Sequence, residues 1–432
     1  MAFRAASFAR HARSLTIRLS RVQRPPLTSS SSIRSFSSTP TNSSSSQPFP
    51  IDSLVADVIK TNNELEANPA RKRAGRPKQY VESETIAPQA DLPPAEEWLN
   101  YFPWTMENKG RASVMNPETA QELAEAYVPE GSKDRIIIEA FPGPGALTRA
   151  LLKLPKERIK KLIVLEENPL FNQWLKPLED IDPRITVVPV SGYQWNAYDY
   201  ISNHGYLEDV QTIDWSQEHT QLSFISHVPD TVHGEQLISQ FLRCIPDHGW
   251  LFKYGRVPLH LTMTEALWQR ISDPPGSITR CKLGVIAEAT ALYDYALPPA
   301  LLAPYKLNFF PPNIKKAPDF VGITVKPLKE PVIESGLLDD WDYVLRRMFV
   351  QKATPVHRSI PTLAPGAASL LKKITAESTP PDQRLNVKLT ARKLTAKEWR
   401  IIVRAFANWP FKPEDLSIDN YHSKTSRQVT IM

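Results

Sequence analysis

The chain has 432 residues, 41% of them hydrophobic, which is enough to bury more than one core. Two cysteines, Cys244 and Cys281, exclude a disulfide framework and a thiolate zinc site; no apolar run approaches the roughly 20 residues that span a bilayer, so no membrane partner is expected. The formal charge of +6 is no nucleic-acid signature, because residues 1–40 hold seven arginines (Arg4, Arg10, Arg13, Arg18, Arg21, Arg24, Arg34) and no acid, leaving −1 for residues 41–432.

Residues 1–36 are rich in Arg and Ser, amphipathic at their start, and lack the long apolar stretch of a secretory signal. That pattern predicts a mitochondrial transit peptide, with Arg34 just upstream of a matrix-peptidase-like cleavage point, and hence the mitochondrial matrix. Residues 37–95, dominated by Ser, Thr and Pro, predict a disordered linker. Within it "RKRAGRPK", Arg71 to Lys78, resembles a DNA minor-groove arm with Ala74 in place of the usual Arg, though a solvated basic run is the simpler reading.

From 96 to 330 the texture is α/β. "RIIIEAF" predicts a strand buried on both faces, "ALTRALLKL" a helix, "KKLIVLEEN" a strand, "PLFNQWLKPLE" a helix and "RITVVPV" a third strand. "LSFISHV", "GEQLISQFLRCI" and "GWLFKYG" follow as strand, helix and strand. The alternation predicts a doubly wound parallel sheet, which binds ligands at the carboxyl ends of its strands. From 331 to 418 the period is helical. "LLDDWDYVLRRMF" aligns Leu337, Leu338, Trp341, Val344, Leu345 and Met348 on one face. "TAKEWRIIVRAF" opens with a capping-box pair, Thr395 and Glu398, and is expected to bury Trp399, Ile402, Val403 and Phe406. Residues 419–432 predict a flexible polar tail.

"IIIEAFPGPGALTRALL" carries the candidate site. A loop that lets a nucleotide cofactor approach needs residues without Cβ, which Gly143 and Gly145 supply. Phe141 stands where such turns favour glycine. Glu166, ending the second strand, can accept hydrogen bonds from ribose hydroxyls. Arg346, Arg347, Lys393, Lys397, Arg400 and Arg404 could bind phosphates, or serve as solvated helix faces. Trp104, Tyr193 and Trp195 could stack unpaired bases, although core packing suits Trp195 as well. His227 and His233 have no Cys/His cluster around them, so no metal is expected.

These residues resemble the ribosomal-RNA adenine dimethylases. Glu139, Pro142, Gly143, Gly145, Leu147 and Thr148 match the family's first motif, Glu166 its second, and "GRASVMN" its Gly-Gln-(Asn/His)-Phe-Leu segment through Gly110 and Asn116. "FFPPNIKKAPDFVGITVKPL" and "FANWPFKPEDL" resemble later family segments. The resemblance implies a Rossmann-like methyltransferase sheet with a small C-terminal all-helical domain. It also implies S-adenosylmethionine near Glu139, Gly143, Gly145, Glu166 and Asn116. The departures are Phe141 in the loop, Ser191 and Gly192 where an adenine-binding Asp is expected, and His227, Val228, Pro229, Asp230 in place of the catalytic Asn-Leu-Pro-Tyr. His227 can accept one hydrogen bond, but Asp230 cannot stack an extruded adenine. A fungal mitochondrial branch of this family has abandoned methyl transfer and helps the single-subunit mitochondrial RNA polymerase melt promoter DNA. The resemblance implies that role, with S-adenosylmethionine unused. The alternative is an active mitochondrial small-subunit rRNA adenine N6,N6-dimethyltransferase acting on mitochondrial rRNA.

Overall fold

The computed structural model describes residues 91–416 apart from Trp104, 106–109, 313, 315, 379 and 382–383. The predicted transit peptide, nearly all of the predicted linker with its Arg71–Lys78 run, Trp104 and the 419–432 tail lie outside the described residues.

Seven strands, β1 (Arg135–Ala140), β2 (Ile159–Leu165), β3 (Ile185–Val188), β4 (Leu222–His227), β5 (Leu259–Thr264), β6 (Ala291–Leu297) and β7 (Phe320–Pro327), form one sheet in the order β3-β2-β1-β4-β5-β7-β6. The strands β1 to β5 run parallel, and β7 runs antiparallel to both of its neighbours. The chain leaves β1 in one direction through β2 and β3, then returns to place β4 on the other side of β1. The crevice of a doubly wound sheet opens at this switch point, beyond the carboxyl ends of β1 and β4. No described helix is long and apolar enough to cross a membrane.

β1 forms because its β-branched run satisfies both faces of the sheet. Ile136, Ile138 and Ala140 enter one apolar cluster and Ile137 enters the other, all fully buried. The flanking helices relevant below are α1 (Pro117–Tyr127), α2 (Ala146–Lys153), α3 (Pro169–Leu175), α4 (Trp195–Asn203), α5 (Val232–Cys244), α6 (Glu265–Ser272) and α7 (Lys282–Thr290). A two-stranded ribbon, Ser113–Val114 against Phe309–Phe310, closes over the α1 side. Trp98 is already core, its Nε1 donating to the Pro93 carbonyl at 2.9 Å.

One expected strand is corrected. "GWLFKYG" is a 3₁₀ turn, Trp250–Tyr254, with Trp250 at φ +54° and Gly255 at φ +127°, values no strand adopts. Its aromatics are there to fill a helix-lined pocket: the Trp250 ring stacks on Phe241 with centroids 4.2 Å apart. The strand comes later, as β5. Its His260, Thr262 and Thr264 are buried polar residues, so its pattern does not read as a hydrophobic run.

Of the helices that follow the sheet, the longer ones are α8 (Leu338–Phe349), α9 (Ser369–Thr375) and α10 (Ala396–Ala407). Trp341, Val344, Leu345 and Met348 of α8 are buried, with Leu337 and Leu338 half-buried at its start. Trp399, Ile402, Val403 and Phe406 of α10 are buried as their spacing requires. Phe349 stacks on Trp399 and Tyr343 on Phe406, at 5.5 and 5.3 Å. Helix α7 touches α5, α8 and α10, so the apolar cluster behind the sheet runs without a break into the helical segment. The capping box is present: the Glu398 N–H donates to Thr395 Oγ1, and the Thr395 N–H donates to the Glu398 carboxylate at 2.8 Å. Thr395→Ala is expected to cost about 1 kcal/mol, read as a lower urea midpoint with an unchanged slope.

Candidate functional site

The loop between β1 and α2 keeps the backbone of a cofactor loop. Gly143 and Gly145 adopt φ +61° and +91°, the left-handed region that glycine enters freely. Phe141 adopts φ +59° as well, so it holds a conformation suited to glycine while carrying a side chain, at a cost on the order of 1–2 kcal/mol. Its ring is 7% exposed and belongs to the core. The loop is also packed from outside: a Cβ on Gly143 would lie 2.1 Å from Ser113 Oγ, and one on Gly192, in the β3–α4 loop, 2.7 Å from the Ala140 Cβ. Arg149 fastens the loop, donating to the carbonyls of Pro144, Gly145 and Trp174.

Two acids sit at the strand ends. Glu139 is buried and accepts from Thr148 Oγ1 at 2.8 Å, while its Oε1 has no partner among the described residues. Burial pushes its carboxyl up to about 8; the Thr148 bond opposes the shift and the Glu166 charge adds to it. Glu166 has a different fate. Both of its oxygens are taken by Arg111, whose Nη1 and Nη2 donate to Oε1 and Oε2 at 2.9 and 2.5 Å. The Asn168 N–H donates to Oε1 as well. The guanidinium lies between two rings, 5.4 Å from the Phe141 centroid and 5.3 Å from that of Phe171. A planar cation between two aromatic faces, forked onto a carboxylate, is a strong arrangement. The carboxylate that could receive ribose hydroxyls already accepts from three donors of the chain itself.

Arg111 was not among the residues expected to matter. The signal was available, since it follows Gly110 where the dimethylase segment has glutamine, but its acid lies 55 residues away. Asn116 does not face the cleft: its Oδ1 caps α1 by accepting from the Glu118 N–H, and its Nδ2 donates to Asn308.

The His227–Asp230 segment ends β4. His227 is 6% exposed, packed on Phe309 and Phe320, and neither ring nitrogen has a partner among the described residues. Burial, reinforced by the Arg111 charge, pushes its pKa down to about 3, so the ring is neutral. Val228 and Pro229 are buried, and the Pro229 carbonyl accepts the Thr231 N–H at 2.9 Å. The Asp230 N–H donates to the Gly110 carbonyl and its carboxylate accepts from Thr264 Oγ1, which ties the segment to the loop carrying Arg111 and to β5. A shielded neutral imidazole and an exposed carboxylate provide neither the paired carbonyl acceptors nor the aromatic face for an extruded adenine.

The basic candidates separate into groups. Arg404 is committed to Glu334, its Nε at 2.5 Å from Oε1. Arg346 is half-buried near Arg243 and Lys282, both paired to Asp342. Arg347, Lys393 and Lys397 are exposed, and Arg400 is half-buried. Trp195 is edge-on to Phe241 and Trp250, a packing role, and Tyr193 donates to Gln236 beside the His233 ring.

The strand order, the glycine loop and the two strand-end acids agree with the family whose segments the sequence resembles. The ribosomal RNA adenine dimethylase family matches residues 110–397. The chain belongs to that family. It is 26% identical over 289 residues to Mitochondrial transcription factor 1 of Lachancea kluyveri, covering 64% of this chain and 82% of the relative. It is 25% identical over 305 residues to Mitochondrial transcription factor 1 of Saccharomyces cerevisiae, covering 67% and 85%. It is 24% identical over 314 residues to a mitochondrial dimethyladenosine transferase 1 of Vermamoeba vermiformis, covering 65% and 84%. Among solved structures it is similar to a dimethyladenosine transferase from Plasmodium falciparum, with TM-score 0.45 and 14% identity over 68% of this chain and 97% of that one.

Dimethylases of this family take their methyl group from S-adenosylmethionine, and the residues here do not fit that group. Arg111 holds the acid at the ribose position, Phe141 fills the loop, and the β3–α4 loop lies against Ala140 with no acid for the adenine.

Proposed function

We propose that this chain is a mitochondrial transcription initiation factor that works without methyl transfer. It assists the single-subunit RNA polymerase of the mitochondrial matrix in recognising and melting promoter DNA. The observation that supports the reading is in the cleft: the Arg111 guanidinium is held on Glu166, the acid a donor's ribose would need, beside the Phe141 and Phe171 rings. The names of the relatives from Lachancea kluyveri and Saccharomyces cerevisiae support the same direction. In this reading residues 1–36 are the transit peptide, 37–95 a linker, 96–330 the retained methyltransferase scaffold, 331–418 the helical domain, and 419–432 a tail. The cleft residues persist because the sheet needs that corner to pack.

Run-off transcription from a mitochondrial promoter, with purified polymerase and no S-adenosylmethionine, tests it. Stimulation on linear duplex, weaker on a template with a pre-melted bubble, is expected; no stimulation on either template overturns the reading.

One observation favours a second reading, rRNA adenine dimethylation. Glu139 with Thr148, Gly143, Gly145 and Glu166 all persist, and several relatives are named dimethyladenosine transferases. Transfer of labelled methyl groups to mitochondrial small-subunit rRNA by the purified protein would establish that reading and displace the first.

A further inference from the structure

Three loops meet at one corner of the helical segment. Lys352, just past α8, donates from Nζ to the carbonyls of Ile278 and Arg280 at 2.7 and 3.3 Å. The Arg392 N–H donates to the Lys352 carbonyl, and the Gly276 N–H to the Arg392 carbonyl at 2.8 Å. This lattice holds in place two β-branched side chains that the fold leaves in solvent, Val350 at 79% and Ile278 at 75% exposure. Scattered exposed aliphatics are ordinary, but two on loops cross-linked to each other make a patch.

The charge around the patch is one-sided. Arg347 shares the face of Val350 at i,i+3, and Lys352, Arg392, Lys393 and Lys397 lie along the joined loops. No ion pair among the described residues engages any of these five, whereas Arg280, Lys282, Arg404 and Lys412 are each paired to an acid. The neighbouring acids are satisfied internally. Asp273 accepts from Ser277 and Thr279, Glu288 binds Arg280 and the Ala396 N–H, and Glu398 closes the α10 cap.

Cations without an acidic partner beside an exposed apolar pair are the complement of an acidic protein surface with an apolar notch, although Lys352 gives its ammonium to two carbonyls and Arg347 lies over the Tyr343 ring. Nucleic acid fits less well. Phosphates would use the cations, but Ile278 and Val350 offer no aromatic face for a base. We propose that this corner is the surface on which the chain docks an acidic protein partner. Resting on the proposed function, that partner is the mitochondrial RNA polymerase.

The test compares the full-length protein with Ile278→Asp/Val350→Asp and, separately, Arg347→Glu/Lys393→Glu. The readouts are affinity for purified polymerase, affinity for a bubble-containing promoter fragment, and the urea midpoint. Both positions of the apolar pair are solvent-facing, so the midpoint is expected to hold. Each double variant is expected to weaken polymerase binding by about 30-fold or more, the scale of an interface hot spot, and to leave DNA affinity within about twofold. Unchanged polymerase binding overturns the inference, whether or not DNA binding falls; a selective loss of DNA affinity would reassign the corner to nucleic acid. Wild-type protein that binds no polymerase would overturn the proposed function together with this inference.

Discussion

Arg111→Ala is expected to destabilise the folded chain by about 3–5 kcal/mol, because it strands a carboxylate that has no access to water. The Glu166 side chain is fully buried and Arg111 is 10% exposed, so solvent cannot replace the lost partner. Glu166→Gln should also destabilise, by leaving the guanidinium between Phe141 and Phe171 without its anion. The combination Arg111→Ala/Glu166→Gln removes both charges. It should be less destabilised than the two single effects summed, with an interaction energy of about 1–3 kcal/mol. Urea midpoints of the four proteins give the cycle. Additive single effects would mean that the two side chains do not depend on each other.

Acidification should destabilise the chain from about pH 6.5 downward. His227 and His260 are each pushed from 6.5 down to about 3, chiefly by burial, so both must be neutral in the fold yet protonate once unfolded. A lowered folded pKa gives stability that is present above 6.5 and lost as pH falls toward 3, at about 1.4 kcal/mol per pH unit for each ring. Glu139 acts in the opposite sense. Its carboxyl rises from 4.5 to about 8, so its contribution is full below 4.5 and is lost as pH climbs to 8. Between 4.5 and 6.5 the two histidines are therefore partly offset by Glu139; below 4.5 they act together, and from 6.5 to 8 Glu139 acts against the fold. A stability maximum near pH 6.5 follows from these three groups. His227→Leu, placed among Phe309 and Phe320, should flatten the acid limb by about 1.4 kcal/mol per pH unit. An acid limb as steep as that of the wild type would show that His227 is not held neutral.

Much of the fold was legible because local and global signals agree. The β-branched run Ile136–Ile138 can only serve a strand covered on both faces, and the Thr395/Glu398 pair marks a helix start wherever it packs. The segment Trp250–Tyr254 misleads because its aromatics satisfy β-strand composition while Trp250 and Gly255 need left-handed backbone, which composition does not encode. The elements β5 and β6 were missed for the complementary reason. His260, Thr262 and Thr264 are buried on β5, whereas Leu292 and Tyr295 stand exposed on the edge strand β6.

The candidate site divides in the same way. The glycines and Glu166 could be placed from their spacing along β1 and β2, and Glu139 from the family resemblance. Phe141 could be seen as a departure, but not as a residue that keeps the glycine conformation while turning its ring into the core. Arg111 could not be assigned, because its partner is remote in sequence and meets it only through the packing of the 110–114 segment over the strand ends. Asn116 matched a family segment and proved to be a helix cap, a use of asparagine that needs no ligand.

Isothermal titration of the wild-type protein with S-adenosylmethionine tests directly whether the Arg111–Glu166 pair and the buried Phe141 close the site to that ligand. The Arg111–Glu166 pair predicts no binding heat and no change in urea midpoint at millimolar ligand. Stoichiometric binding with Arg111 in place, together with a raised midpoint, would contradict it.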